Sequence, residues 1–267
     1  MSKKNHALET VVPEAVYTDR KELIDCFYDA ALKATSRRTM STVLLGQRRM
    51  GKTEIFKRVV NRLFLNQDAD DQNTVIPVFY QFPEEHVNRE NFSLKYVENF
   101  LRWFAAFKLK NQTLLKRPRN INQLIKFIEE NIPLTDGLYN AIDLMKAILD
   151  KGAILPSQSA IMLPREVAYA DDISIVMFLD EFQNTRLPHI DFSIVGFFQE
   201  AVESPTCPHF VTGSAMSILA DEILGKGALY GRFDYERIES FTDYYGEELV
   251  LKAANFYQAS IPKTMAP

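Results

Sequence analysis

Hydrophobic positions recur along this chain in two alternating patterns: short continuous runs, and stripes of helical spacing. Over 21–34, Leu23, Ile24, Phe27 and Ala31 share one helical face, with Asp19 as the expected cap. Thr42, Val43, Leu44 and Leu45 form a β-branched and apolar run that stops at Gly46, which predicts a buried strand. The stripe returns over 54–65, where Ile55, Phe56, Val59, Val60, Leu63 and Phe64 face away from Lys57, Arg58, Asn61 and Arg62. A polar, acidic turn at 66–73 leads to a second predicted strand, 74–82, in which Pro77 argues against a central position. Helices are predicted over 92–110, 121–131 and 137–151. Residues 152–171 carry Gly152, Pro156 and Pro164 among apolar residues without a clean period, and read as a long loop.

The run ISIVMFL at 173–179 predicts a strand buried on both faces. A helix over 192–203, a short strand over 208–212 and a helix over 215–224 follow. A last strand, 235–241, and a last helix, 246–259, complete the pattern. Strands that alternate with helices predict an α/β fold with a mainly parallel sheet of five strands between helical layers. No internal repeat is present.

Composition adds mostly exclusions. The 267 residues are 46% apolar and 25% charged, which excludes a disordered tail, a collagen-like repeat and a small disulfide scaffold. A net charge of −4 does not point to nucleic acid. One basic run, Lys108, Lys110, Lys116, Arg117 and Arg119, is a weak candidate for phosphate contacts, but it lacks interleaved aromatics and reads better as a solvated helix end. The aromatic-rich stretch around Phe100, Trp103, Phe104 and Phe107 reads as core rather than a ligand box. Cys26 and Cys207, with the scattered His6, His86, His189 and His209, have no metal-ligand spacing. The basic N-terminus lacks an apolar segment, and no apolar run approaches the ~18 residues of a membrane helix. A cytoplasmic chain with reduced thiols and no membrane partner is therefore expected.

The chemistry lies where strands end. Gly46-Gln47-Arg48-Arg49-Met50-Gly51-Lys52-Thr53 fits G-x-x-x-x-G-K-S/T, the Walker A pattern, and it follows a predicted strand and opens a predicted helix. Glycines let the backbone turn its N–H groups toward phosphate oxygens, and the start of the helix favours anions. Lys52 brings a positive charge to the β- and γ-phosphates, and Thr53 a hydroxyl for Mg²⁺. Asp180 and Glu181 directly follow the buried run, as in a Walker B segment. There an aspartate holds Mg²⁺ through water, and a neighbouring glutamate orients and polarises the attacking water. One strand separates the loop and this acid pair in sequence, and no N-K-x-D guanine-reading motif is present. The expected fold is thus a three-layer α/β/α P-loop NTPase using ATP. Thr212 and Ser214 are candidates for sensing the γ-phosphate or plain turn residues. Arg232, after a glycine-rich stretch, reads as a solvated arginine or a transition-state contact.

Together these residues resemble the archaeal and bacterial ATPase family in the STAND class of AAA-related P-loop NTPases. The similarity rests on G-Q-R-R-M-G-K-T, on L-D-E-F-Q at 179–183, on T-G-S at 212–214, on L-Y-G-R at 229–232 and on V-Y-T-D-R-K-E-L at 16–23. It implies ATP binding with Mg²⁺, slow hydrolysis, and a switch coupled to a protein partner or self-association. It implies a nucleotide site formed by Gly46, Gln47, Arg48, Arg49, Met50, Gly51, Lys52, Thr53 and Glu54, with Tyr17 and Arg20 beside the adenine and Ser214 near the phosphate. Thr53 and Asp180 would hold the metal. Lys52, Glu181 and Arg232 would take part in the chemistry, Arg232 within one chain or across an interface. Gln47 stands where relatives more often have proline. The resemblance also implies an ATPase domain over 1–245, with 246–267 as the remnant of a helical lid and tail. Relatives continue into a winged helix for which this sequence has no room, through truncation or as a naturally short protein. A binding module with little hydrolysis, or a DNA-associated ATPase, is the alternative.

Overall fold

Five strands line up in parallel: β1 (Thr42–Leu45), β2 (Val75–Gln81), β3 (Ser174–Asp180), β4 (His209–Thr212) and β5 (Asp234–Arg237). Their order across the sheet is β2-β3-β4-β1-β5, so β4 separates the strand before the glycine loop from the strand before the acid pair. The computed structural model describes residues 6–116, 120–185, 194–213 and 220–260. Pro77 sits in β2, an edge strand, where a missing N–H on the open side costs nothing. β1, β3 and β4 are almost entirely buried, as continuous apolar runs in a covered parallel sheet should be.

Helices flank the sheet as α1 (Lys21–Leu32), α2 (Lys52–Asn66), α3 (Arg89–Lys108), α4 (Thr113–Lys116), α5 (Ile121–Asn131), α6 (Asp136–Leu149), α7 (Pro156–Ala170), α8 (Phe198–Ala201) and α9 (Asp243–Tyr257). The architecture is the expected three-layer α/β/α sandwich. α1 packs on α2, and α2 on β2 and β3; α7 packs on β3 and joins α3 and α6. A closed ring of edge-to-face contacts fixes the first layer: Phe27 of α1, Phe56 of α2, Phe178 of β3 and Phe210 of β4 meet at centroid distances of 5.3–5.4 Å. Such pairs add about 0.5–1.5 kcal/mol each beyond their burial. They hold the start of α2 against the end of β3. Phe100, Trp103, Phe104 and Phe107 are core, as expected.

The sequence reading fails in four places. The expected loop at 152–171 contains α7. Pro156 stands in its first turn, where its missing N–H is harmless, and Ala160, Ile161, Pro164, Val167 and Ala168 are buried at helical spacing. That packing outweighs the backbone bond lost at Pro164. Asp19 does not cap α1. Arg20 takes the cap position in a left-handed conformation, without a side-chain hydrogen bond. The helix expected over 192–203 is reduced to a 3₁₀ turn and α8 within the described residues. β5 stops at Arg237, and α9 begins at Asp243, where the Thr242 side chain accepts from the Tyr245 amide. The helix expected over 215–224 lies largely outside the described residues; 220–224 form a π-helical turn. Among the described residues no helix is long and apolar enough to cross a membrane.

Candidate functional site

The glycine loop joins the buried end of β1 to the first turn of α2. Gly46 is a packing requirement: a Cβ there would lie 2.1 Å from Ile238 Cγ2 and 3.2 Å from the Ile238 carbonyl. The Ile238 amide donates to the Leu45 carbonyl (2.8 Å), so the chain leaving β5 presses on the loop. Gly51 has φ +87°, which a side chain rarely tolerates, and Arg49 is itself left-handed at +67°. Gln47, Arg48 and Arg49 are exposed and Met50 is half-buried. Lys52 is only 7% exposed. Its ammonium donates to the carbonyls of Gly46 (2.8 Å) and Gln47 (2.6 Å). Burial lowers its pKa, and the nearby charges of Glu181 and Asp180 act the other way. A cation held by carbonyls at the start of a helix is poised for an anion.

The acid pair stands beside it. Asp180, 1% exposed, accepts from the Thr53 hydroxyl at 2.8 Å. Burial pushes its carboxyl up to about 6, against the pull of the Thr53 hydrogen bond. Glu181 turns the chain off the sheet with φ +55°. Its side chain accepts from the Gln183 amide. Asn184 fixes this turn: its amide N–H donates to the Glu181 carbonyl (2.9 Å) and its side chain to the Phe82 carbonyl (3.2 Å). At the end of β4, between β1 and β3, the fully buried Thr212 hydroxyl has no hydrogen-bond partner among the described residues. An unsatisfied buried hydroxyl costs about 1–3 kcal/mol, which a ligand or water would relieve. Ser214 lies outside the described residues.

On the other side of the loop a cavity of about 350 Å³ is lined by Val12, Tyr17, Arg20, Met50, Glu54 and Phe241, among others. The Arg20 guanidinium lies 4.4 Å from the Phe241 ring centre and donates to the Glu239 carbonyl (2.6 Å). Burial raises the Tyr17 phenol to about 12. Glu54 accepts from the Val11 amide at 2.8 Å, while its second oxygen is buried without a hydrogen bond among the described residues. Leu249 of α9 also lines the cavity, and Lys252 donates to the Tyr17 carbonyl (3.4 Å). The sequence held no signal for Phe241 or Leu249, because they reach the cavity only through the path of the chain after β5.

Arg232 is not brought to this site. It precedes β5, at the amino ends of the strands, and pairs with Glu203 (3.0 Å) and the Gln199 carbonyl (3.2 Å). A glycine-rich stretch in the sequence carried no information on which end of the sheet it would occupy. Two members of the basic run are tied back as well: Lys108 donates to the Ala69 carbonyl and Lys110 to the Phe64 carbonyl, while Lys116 is exposed. Arg117 and Arg119 lie outside the described residues.

Among the described residues no group of three or more His, Cys, Asp or Glu could cage a metal. The Thr53 hydroxyl and Asp180 carboxylate are instead two adjacent hard oxygen donors. They fit a Mg²⁺ that completes its shell with water and phosphate oxygens.

No protein-family model and no curated protein matches the chain. Among solved structures it is similar to a Walker-type ATPase of Pyrococcus abyssi, with 15% identity and a TM-score of 0.57 over 96% of this chain and 64% of that one. It also aligns with the ORC2 protein of Aeropyrum pernix in an ADP form, at 14% identity and a TM-score of 0.49 over 94% of this chain and 55% of that one. Cdc6p from Pyrobaculum aerophilum aligns at 14% identity and a TM-score of 0.44, over 92% and 54% of the two chains. The chain thus spans 64% of the length of the Pyrococcus ATPase. At such identity this first likeness bears on the fold, which is that of a P-loop NTPase.

Proposed function

We propose that the chain binds ATP with Mg²⁺ on the loop Gly46 to Thr53 and hydrolyses it slowly, as a nucleotide-dependent switch of the STAND, AAA-related kind. The observation that carries this reading is the Thr53–Asp180 contact of 2.8 Å beside the buried Lys52 ammonium. In this reading the loop amides and Lys52 take the β- and γ-phosphates, Lys52 exchanging the Gly46 and Gln47 carbonyls for phosphate oxygens. Thr53 and Asp180 would hold Mg²⁺, which supplies neutralisation of the phosphate charge. Glu181 orients the attacking water and accepts its proton. Tyr17, Arg20 and Glu54 form the base end of the site, and α9 borders it through Leu249. Arg232 points away, so any contact it makes with nucleotide belongs to a neighbouring chain.

One observation favours the quieter alternative, a nucleotide-held module with little turnover: the Glu181 side chain is held by Gln183 within its own turn. Phosphate release by wild type, Glu181→Gln and Gln183→Ala separates the two. For a working ATPase, Glu181→Gln keeps ATP affinity and loses about 10²-fold or more in rate, since an amide cannot take the proton. Equal turnover in wild type and Glu181→Gln would sink the base role. If Gln183 restrains the base, Gln183→Ala turns over faster than wild type.

A further inference from the structure

Arg58 lies on what the sequence presents as the solvent face of α2, yet its side chain is only 10% exposed. It lies one helical turn beyond Glu54, and Asn61 follows at the next turn. These three residues, at i, i+4 and i+7, form a polar seam along α2, and the segment from Leu8 to Tyr17 lies along it. Asn61 both accepts from the Leu8 amide (2.8 Å) and donates to the Leu8 carbonyl (2.9 Å). Glu54 accepts from the Val11 amide (2.8 Å). Arg58 makes the largest set of contacts. Its guanidinium donates to the Val12 carbonyl (2.7 Å), lies 3.8 Å from the centre of the Tyr17 ring, and approaches Glu14 (3.4 Å) and Glu54 (3.9 Å).

The segment needs such support because it has no helix or strand of its own. Its internal order comes from one turn, in which the Val16 and Tyr17 amides both donate to the Pro13 carbonyl. Val12 and Tyr17, the two groups Arg58 holds, are also two walls of the 350 Å³ cavity. The cavity is therefore shaped from the helix that carries the phosphate loop, through a residue that does not line it.

We infer that Arg58 is a positioning residue: it sets the Val12 and Tyr17 wall against which the base of a nucleotide packs, and so makes the site discriminate a nucleotide from bare polyphosphate. This rests on the nucleotide reading of the loop. A wall fixed before binding spares the ligand the cost of ordering it. Removing the guanidinium loses a charge-assisted hydrogen bond and a desolvated cation–π contact, but leaves Lys52, Thr53 and the loop amides untouched.

The test is calorimetric titration with MgATP and with inorganic tripolyphosphate plus Mg²⁺. Arg58→Met, which keeps the aliphatic stem, is expected to weaken ATP about tenfold or more while changing tripolyphosphate by less than about twofold. Arg58→Lys should fall between, since it restores charge without the fork. Tyr17→Leu, which alters the wall and not the helix, should reproduce the selective loss and carries the test if Arg58→Met does not fold. Equal weakening of both ligands, or no weakening of either, overturns the inference. So does a wild type that binds ATP no better than tripolyphosphate, which would leave the phosphate reading standing. A wild type that binds neither ligand refutes the nucleotide reading itself, and this inference with it.

Discussion

Asp180 shows what a buried site residue costs the fold. Its displacement from an ordinary 3.8 to about 6 means that the folded chain binds a proton which the unfolded chain has released. Stability contributed by this group is therefore present below about pH 4, falls as pH rises toward 6, and is absent above it; the full loss is on the order of 3 kcal/mol. Asp180→Asn should raise stability by about 1–3 kcal/mol at pH 8 and by little at pH 4, read from denaturant unfolding with no nucleotide present. A variant less stable than wild type at pH 8 would show that the charged carboxylate is well solvated or paired. His209, fully buried and pushed down to about 4, works in the opposite sense, losing stability as pH falls. Comparing variant and wild type at each pH cancels its contribution. Lys52 and Asp180 were legible as candidates because the patterns they belong to fix a spacing from glycine or a place after a strand. Arg58 was not, since an arginine opposite an apolar stripe looks the same whether water or another segment covers it.

The elements that were legible are those whose pattern is set by burial: β1, α2 and β3, where apolar runs and stripes follow directly from a covered sheet. α7 was hidden because its prolines read as breakers, although one stands in the first turn and the other faces the core. The end of β5 was misjudged for a related reason. Ile238 continues the apolar pattern, but it lies past the strand's last residue, with its amide on the Leu45 carbonyl and its side chain against Gly46. That contact makes a prediction at the scale of elements. Gly46→Ala should cost about 1–3 kcal/mol through overpacking. Ile238→Ala should cost about 2–4 kcal/mol alone. Together they should cost about 1 kcal/mol less than the sum, because the second change removes the methyl that the first one meets. Strict additivity in thermal or denaturant unfolding would mean that the loop does not depend on the exit from β5.

Across the whole molecule the candidate groups gather at the carboxyl ends of the strands, where open parallel sheets bind ligands, while Arg232 lies at the other end. α9 buries none of its residues and leaves Tyr244, Val250, Leu251 and Tyr257 exposed, yet it reaches the cavity through Leu249. The molecule thus combines a loop-and-acid centre, packed on the ring of Phe27, Phe56, Phe178 and Phe210, with a lightly packed α9 beside the cavity. Its central feature is the buried Lys52 ammonium beside the Thr53–Asp180 contact. The most direct measurement is calorimetric titration of the full chain with ATP, with and without Mg²⁺, alongside Lys52→Ala. Saturable binding strengthened by Mg²⁺ in wild type and lost in Lys52→Ala is the expected result. Undiminished affinity in Lys52→Ala, or no ATP binding by a folded wild type, would contradict a nucleotide site on this loop.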